Sequence, residues 1–301
     1  MNAMVPIVLF VYKRTDTLAK TLACLKANAI PRLIVYSDGA KGENDREGVA
    51  AVRQIVNAID WCQVEPHFSD TNRGLGKSIM RGVTEVLEHY ESCIVFEDDL
   101  VCVPGTYAWM CAALEHYKDD TRVYSVTGWT NRHLVPPDVG TSPWFDGRAE
   151  CMTWGVWRRS WIGMNEETAL EKMNRAKSLG IDVYRVGGDL PYFARIEVAS
   201  NIWAVRFVYH QIVNRSLTVR PPWPMVNHIG WGAGSTNGLT INWEDNGELR
   251  DAPPIPETWP EPREHPVSAA LLRKMYTRPW VDRFPRLVPI ARTILRKLGL
   301  S

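Results

Sequence analysis

Glu97-Asp98-Asp99 places three carboxylates in a row directly after the run Ile94-Val95-Phe96. Residues of that β-branched and aromatic kind form buried strands, and a buried strand tolerates no unpaired charge. The acids must stand where a strand leaves the core. Three adjacent like charges repel, and a hard divalent cation relieves the repulsion because such ions take carboxylate oxygens. An acidic turn at a strand end would have the same sequence, so neighbouring residues must decide between the two.

Two further charged positions sit at comparable places. Arg14 follows the apolar run Val5-Pro6-Ile7-Val8-Leu9-Phe10-Val11-Tyr12, and Asp38 follows Leu33-Ile34-Val35-Tyr36-Ser37. Asn72-Arg73-Gly74-Leu75-Gly76-Lys77-Ser78 is a glycine-bearing loop that opens a helical pattern. Gly74 and Gly76 are too close for GxxxxGK[ST], which excludes an ATPase phosphate loop. A glycine turn with Arg73 and Lys77 at a helix N-terminus is still a fitting anion site; an ordinary helix start with surface cations is the alternative.

The elements that must position these residues follow from periodicity. Val5–Tyr12 is a continuous apolar run, the mark of a strand buried on both faces. Leu18, Leu22 and Leu25 then recur at helical spacing, with Thr15 or Asp16 available as the cap. A second strand covers Arg32–Ser37, which completes a βαβ unit and predicts a parallel sheet covered by helices. Ligands of such sheets bind at the carboxyl ends of the strands, where Arg14, Asp38 and the acidic triplet all fall. Glu65–Ser69 reads as another strand. Ile79, Val83, Val86, Leu87 and Tyr90 line one face of the helix after the glycine loop. Pro104 is placed to start a helix with Tyr107, Met110, Leu114 and Tyr117 inward, and Val123–Val126 is a further strand.

Composition bounds the class. The chain has 301 residues, 45% hydrophobic and 23% charged, with net charge +1, an ordinary globular profile without the basic signature of a nucleic-acid binder. Its six cysteines show no CxxC or Cys/His zinc spacing and read as small core residues in a reducing compartment. No basic-then-apolar leader precedes the first strand. Charge is unevenly spread: residues 266–301 carry eight Lys/Arg and one acid, whereas 251–265 carry four acids and one Arg. Six prolines between Asp251 and Pro266 make that stretch an extended linker. The basic tail alternates apolar residues with its cations between proline breaks. It reads as two short helices suited to an anionic inner-membrane face, or as a helix packed on the domain with its cations solvated.

The order of these parts resembles the GT-A glycosyltransferases, most closely the N-acetylglucosaminyltransferase I-like group and its bacterial relatives. The resemblance rests on Lys13-Arg14 after the first strand, Asp38 after the second and Glu97-Asp98-Asp99 as a DxD-class triplet. It continues in Thr153-Trp154-Gly155-Val156-Trp157 as a Trp-Gly motif, in Asn201-Ile202-Trp203 as an Asp-x-Trp-like segment, and in Asn227-His228-Ile229-Gly230-Trp231-Gly232-Ala233-Gly234-Ser235-Thr236 as a closing glycine-rich loop. It covers residues 4–240. It implies an α/β fold with a Rossmann-like mixed, mostly parallel sheet flanked by helices, in a single domain with a C-terminal helical tail. Residues 1–250 would form that domain, with the donor half in 1–127 and the acceptor half in 128–250.

The implied activity is transfer of a hexosyl or N-acetylhexosaminyl group from a nucleotide-sugar, most simply a UDP-sugar, to a glycan or lipid-linked saccharide. The setting would be bacterial surface-polysaccharide assembly, cytoplasmic or peripheral on the inner membrane. Mn2+ or Mg2+ would neutralise the diphosphate leaving group. By resemblance Asp99 is the metal ligand and His228 a late metal or phosphate ligand. Asp98 and Glu97 would contact the ribose or orient the site, Asp38 the nucleobase or ribose edge, Arg14 the nucleotide or its phosphates, and Arg73 or Lys77 the diphosphate. An inverting reaction needs a base, and the family's Asp falls at Asn201, an amide that cannot take a proton. Glu150, Asp189 and Asp146 are the candidates in its place. Eleven of the thirteen tryptophans lie after position 128. Trp129, Trp154, Trp231 and Trp243, near glycine-rich turns, are candidates for stacking on pyranose rings, while Trp157, Trp161 and Trp203 read as core. Two other readings compete. A sugar-nucleotide nucleotidyltransferase would need a glycine-rich loop after the first strand, which Lys13-Arg14 does not supply. A non-catalytic carbohydrate-binding relative is favoured only by Asn201.

Overall fold

The computed structural model describes residues 4–231 and 246–277. Strand β1 (Ile7–Val11) is buried along its whole length and pairs in parallel with β2 (Arg32–Ser37) and β4 (Ser92–Glu97). Its alternation divides the interior. Val8 and Phe10 face the layer containing α3 (Leu75–His89), while Ile7, Leu9 and Val11 face the layer containing α1 (Thr15–Ala27) and α2 (Arg46–Asn57). A strand with apolar side chains on both faces needs a helix layer on each, and this sequence supplies both. Strand β3 (Gln63–Phe68) lies outside β2 as a mostly exposed edge, blunted by Pro66.

The sheet continues on the other side of β4 through β8 (Trp154–Trp157), β6 (Val123–Thr127), β9 (Leu217–Arg220) and β7 (Trp144–Asp146), in the order β3-β2-β1-β4-β8-β6-β9-β7. Six strands run one way, and β8 and β7 run against them. The mixed, mostly parallel α/β sheet that the sequence implies is therefore present. Helices α6 (Ala169–Ser178), α7 (Leu190–Ser200) and α8 (Ala204–Val213) join α3 on one face; α4 (Thr106–His116) joins α1 on the other. Beyond the carboxyl edge, β5 (Leu100–Cys102) pairs antiparallel with β10 (Val226–His228), a small ribbon that brings His228 opposite Leu100.

Local details correct two expectations. Neither Thr15 nor Asp16 caps α1: the N-cap is Arg14, extended and without a side-chain cap bond, which leaves its guanidinium for other partners. Helix α4 begins after Gly105 rather than at Pro104, because Gly105 takes a left-handed turn at φ 90°. The tail helix α9 (Ser268–Met275) docks on the domain: Leu272 is buried, and Leu271, Met275 and Tyr276 pack against the core. Six of the tail's eight cations, and the second helix expected there, lie outside the described residues. Among the described residues no helix is long and apolar enough to cross a membrane. The proline-rich stretch before α9 has no regular structure and straps α4, with Trp259 stacked on His116 at 5.6 Å and Pro260 accepting from the Tyr117 hydroxyl at 2.7 Å. All six cysteines are free thiols.

Candidate active site at the carboxyl edge of the sheet

The acidic triplet ends β4 at the carboxyl edge. Asp98 accepts from the Tyr12 amide and from the Arg14 guanidinium, each at 3.0 Å. Asp99 accepts from Arg14 in a short contact and from His228 Nε2 at 3.0 Å. The β5–β10 ribbon delivers His228, and the Ile229 amide bonds the Asp99 carbonyl at 2.8 Å. The next residue has to be glycine. A Cβ on Gly230 would lie 2.1 Å from Asp99 Oδ2 and 2.8 Å from an Arg14 nitrogen. Sequence reading had placed Gly230 only within a loop motif; nothing in its spacing signals this close approach.

Electrostatics separate the three acids. The Glu97 carboxyl makes no hydrogen bond among the described residues, and burial together with the Asp99 and Asp98 charges pushes it up to about 8. Burial, then Asp99, pushes Asp98 up to about 6 against the pull of Arg14 and the Tyr12 amide. Burial would also raise Asp99, but the hydrogen bond and charge of His228 and the charge of Arg14 outweigh it and hold that carboxyl below its ordinary value. Asp99 is thus the one acid kept firmly anionic.

Asp99 and His228 bring one carboxylate oxygen and one imidazole nitrogen together on an open edge. Among the described residues no group of three or more His, Cys, Asp or Glu forms a protein cage. A two-ligand set still fits Mg2+ or Mn2+, which are commonly held by one or two side chains and complete their shell from substrate phosphates. Arg14 fills the cationic role in the folded chain.

Asp38 has a structural task in the folded chain. Its carboxylate accepts from the amides of Arg73 at 2.9 Å and Gly74 at 2.8 Å, so it shapes the glycine loop instead of presenting a free acid. Asn72 Nδ2 ties the same loop to the Gly39 carbonyl at 2.7 Å. Arg73 and Lys77 are exposed there. A cavity lies beside the loop, walled by Tyr36, Asp38, Phe68, Arg73 and Arg81. The loop's other side rests on Asn201: a Cβ on Gly76 would meet the Asn201 carbonyl at 2.5 Å, and one on Gly74, at φ 79°, would meet its amide nitrogen at 2.6 Å. Asn201 is the left-handed C-cap of α7 at φ 53°, a place where Asn is among the few tolerated residues. That explains an amide at a position where the family carries a carboxylate.

The three candidate bases share a polar cluster beyond β9. Asp146 and Arg220 are both 0% exposed and paired. Asp189 takes two bonds from Arg148, at 3.0 and 2.9 Å, and the Tyr276 ring lies 3.7 Å from that guanidinium. Asp146 and Asp189, both named as candidate bases, are thus buried counter-ions in the folded chain. Burial raises the Asp146 carboxyl, with Arg220 pulling against it. Glu150 is 5% exposed; it accepts from the Cys151 amide at 2.9 Å and lies 3.5 Å from Arg220. Trp154, four residues on, pairs with Val95 and Thr127, so the segment from Glu150 extends past the carboxyl ends of β4 and β6. The lone cation in Leu217-Thr218-Val219-Arg220 was the available signal for this cluster.

The tryptophans divide differently from expectation. Trp129 and Trp154 are buried at 0% and 1% and cannot stack on a sugar, whereas Trp157, Trp161 and Trp203 pack in the core as expected. Trp231 is half-buried, edge-on to His228 at 5.1 Å. Trp243 and the loop residues Gly232 to Thr236 lie outside the described residues.

No protein-family model and no curated protein matches this chain. Solved structures similar to it include the mannosyltransferase PcManGT from Pyrobaculum calidifontis in complex with GDP-Man and Mn2+, at 13% identity and a TM-score of 0.43, over 78% of this chain and 59% of that one. Another is HddC from Yersinia pseudotuberculosis, at 11% identity and a TM-score of 0.34, over 52% of this chain and 78% of that one.

Proposed function

We propose that this chain is a divalent-metal-assisted glycosyltransferase of the GT-A type. It would move a hexosyl or N-acetylhexosaminyl group from a nucleotide-sugar, with UDP the simplest donor nucleotide, to a glycan or lipid-linked hydroxyl. The observation that carries the reading is the convergence of Asp99, His228, Arg14 and Gly230 at the carboxyl edge of the parallel strands. A bound Mn2+ or Mg2+ supplies charge neutralisation on the diphosphate as the glycosidic bond breaks. Asp99 and His228 would hold it. Arg14, released from Asp99, turns to the diphosphate, and Arg73 and Lys77 add positive charge from the glycine loop. Asp38 fixes that loop as a wall for the nucleoside.

In the inverting form the acceptor oxygen bonds the anomeric carbon as the diphosphate departs with its electron pair, and the hydroxyl proton passes to Glu150. Glu150 is preferred because its segment extends past the carboxyl ends of β4 and β6, on the side of the acidic triplet. Bacterial surface-polysaccharide assembly in the cytoplasm, with the tail against the inner membrane, is the setting that suits a lipid-linked acceptor.

The test is a melting-temperature panel of nucleoside diphosphates with and without Mn2+. Saturation at a hundredfold excess over Kd stabilises the folded state by about 2.7 kcal/mol. A nucleoside diphosphate with metal should raise the melting point, and Asp99→Ala should remove the metal-dependent part. No shift with any nucleotide in the presence of metal would overturn the reading. Full activity in Glu150→Gln would remove Glu150 as base.

A further inference from the structure

A second pocket opens on the acceptor half. Its walls come from the segment after β6, through Arg132 and Val135, and from the segment after β9, through Pro222-Trp223-Pro224. Strands β6 and β9 are parallel, so both segments leave the sheet at the same edge as the acidic triplet. Its third wall is Asn246–Arg250.

The pocket is built rather than incidental. Asn246, 6% exposed, accepts from the Arg132 amide at 2.9 Å and gives its own amide to Asn227 Oδ1 at 3.0 Å. Asn227 Nδ2 bonds the Gly247 carbonyl at 2.7 Å. Both bonds run to β10, one residue before His228. The pocket floor is therefore fastened to the strand that carries the metal-ligand candidate. Prolines on either side restrict the backbone around Trp223, and its indole N–H is held by the Asp251 carbonyl at 2.9 Å.

The lining chemistry selects a ligand class. The half-buried Trp223 offers an apolar ring to the C–H face of a pyranose. Arg132 and Arg250 are exposed and make no ion pair among the described residues, although Glu248 shares the pocket. Arg250 lies near the indole, 5.9 Å from its centre. Two guanidinium groups beside an aromatic wall suit a ring that carries a carboxylate or a phosphate, which they can grip with paired N–H bonds. Glu248 adds an acceptor for sugar hydroxyls and disfavours a densely anionic ligand.

We propose that this pocket is a subsite for an anionic sugar, a pyranose bearing one carboxylate or phosphate group, within the acceptor saccharide. The substrate role rests on the glycosyltransferase reading; the binding itself does not. The test is calorimetric titration of the full chain with three probes: a galacturonate or glucuronate disaccharide, a hexose 1-phosphate and the neutral disaccharide. The anionic probes should bind roughly tenfold or more tightly than the neutral one. The first two arms tell a carboxylate from a phosphate ligand. Trp223→Ala should weaken all three, while Arg132→Gln with Arg250→Gln should remove the anionic preference and keep the remainder. Both variants alter exposed or half-buried side chains, and their melting points verify folding. Equal affinity for charged and neutral probes, no binding of any, or unchanged binding in both variants would overturn the proposal. A retained nucleotide–Mn2+ melting shift with no saccharide binding would refute the subsite alone. Saccharide binding without any nucleotide shift would refute the glycosyltransferase reading and leave the site standing.

Discussion

Glu97→Gln should stabilise the metal-free protein, and by more as pH rises. Glu97 lies at the end of β4 with no hydrogen-bond donor among the described residues, and burial beside Asp98 and Asp99 pushes its carboxyl from 4.5 to about 8. For an acid raised on folding, the folded chain holds its proton where the unfolded chain has lost it. Stability is therefore full below the unfolded value and falls as pH climbs from there towards 8. One pKa unit corresponds to about 1.4 kcal/mol, so the full shift would amount to about 5 kcal/mol. Partial solvent contact of the side chain screens part of that, leaving about 2 to 4 kcal/mol. Glutamine keeps the shape and cannot ionise. Urea denaturation in a chelator at pH 5, 6.5 and 8 measures the difference. The variant should be nearly level with the parent at pH 5 and ahead by about 2 to 4 kcal/mol at pH 8, with no change in denaturant slope. Superimposable pH profiles for the two proteins would refute the reasoning.

Two further outcomes follow from close contacts. Gly230→Ala, whose Cβ would collide with Asp99, should cost about 1 to 3 kcal/mol and abolish the metal-dependent nucleotide shift; an unaltered shift would show that Asp99 and Gly230 do not share the site. Arg220→Met strands two buried carboxylates, Asp146 and Glu150, and should cost about 3 to 5 kcal/mol at neutral pH. The loss should shrink as acid protonates Asp146, whose carboxyl is already raised by burial, and urea midpoints at pH 5 and 7 would measure it.

The fold was largely legible because its signals are local. Apolar runs of the length of β1 and β2 and the leucine spacing of α1 dictate a parallel βαβ unit without reference to distant residues. The position of Glu97-Asp98-Asp99 at a strand end was legible for the same reason. What lies across the cleft was not. The partner of Asp146 is 74 residues away at Arg220, and no local pattern encodes such a pairing. Glycines misled the reading of Trp129 and Trp154. Glycines in sequence suggest exposed turns, yet a Cβ on Gly128 would lie 3.1 Å from Met110 Sδ and one on Gly155 would lie 3.0 Å from a Leu114 methyl. These glycines admit helix α4 close to the sheet, and the adjacent indoles are core. Asn201 misled in the opposite sense, since a helix cap and a lost base look alike until the backbone angle is known.

The β5–β10 ribbon has a consequence for how the chain is made. Asp99 and His228 are 129 residues apart and meet through three paired positions on each strand. Domains are synthesised from the amino end, and contacts of long sequence separation close late because their loop entropy must be overcome first. The nascent chain thus carries its acidic triplet through the next 129 residues of synthesis without the histidine. Arg14, already synthesised and half-buried against these acids, and the Tyr12 amide that bonds Asp98 are partners present throughout that interval. Arg14 acts first as a folding counter-ion, and His228 joins Asp99 only once β10 pairs with β5.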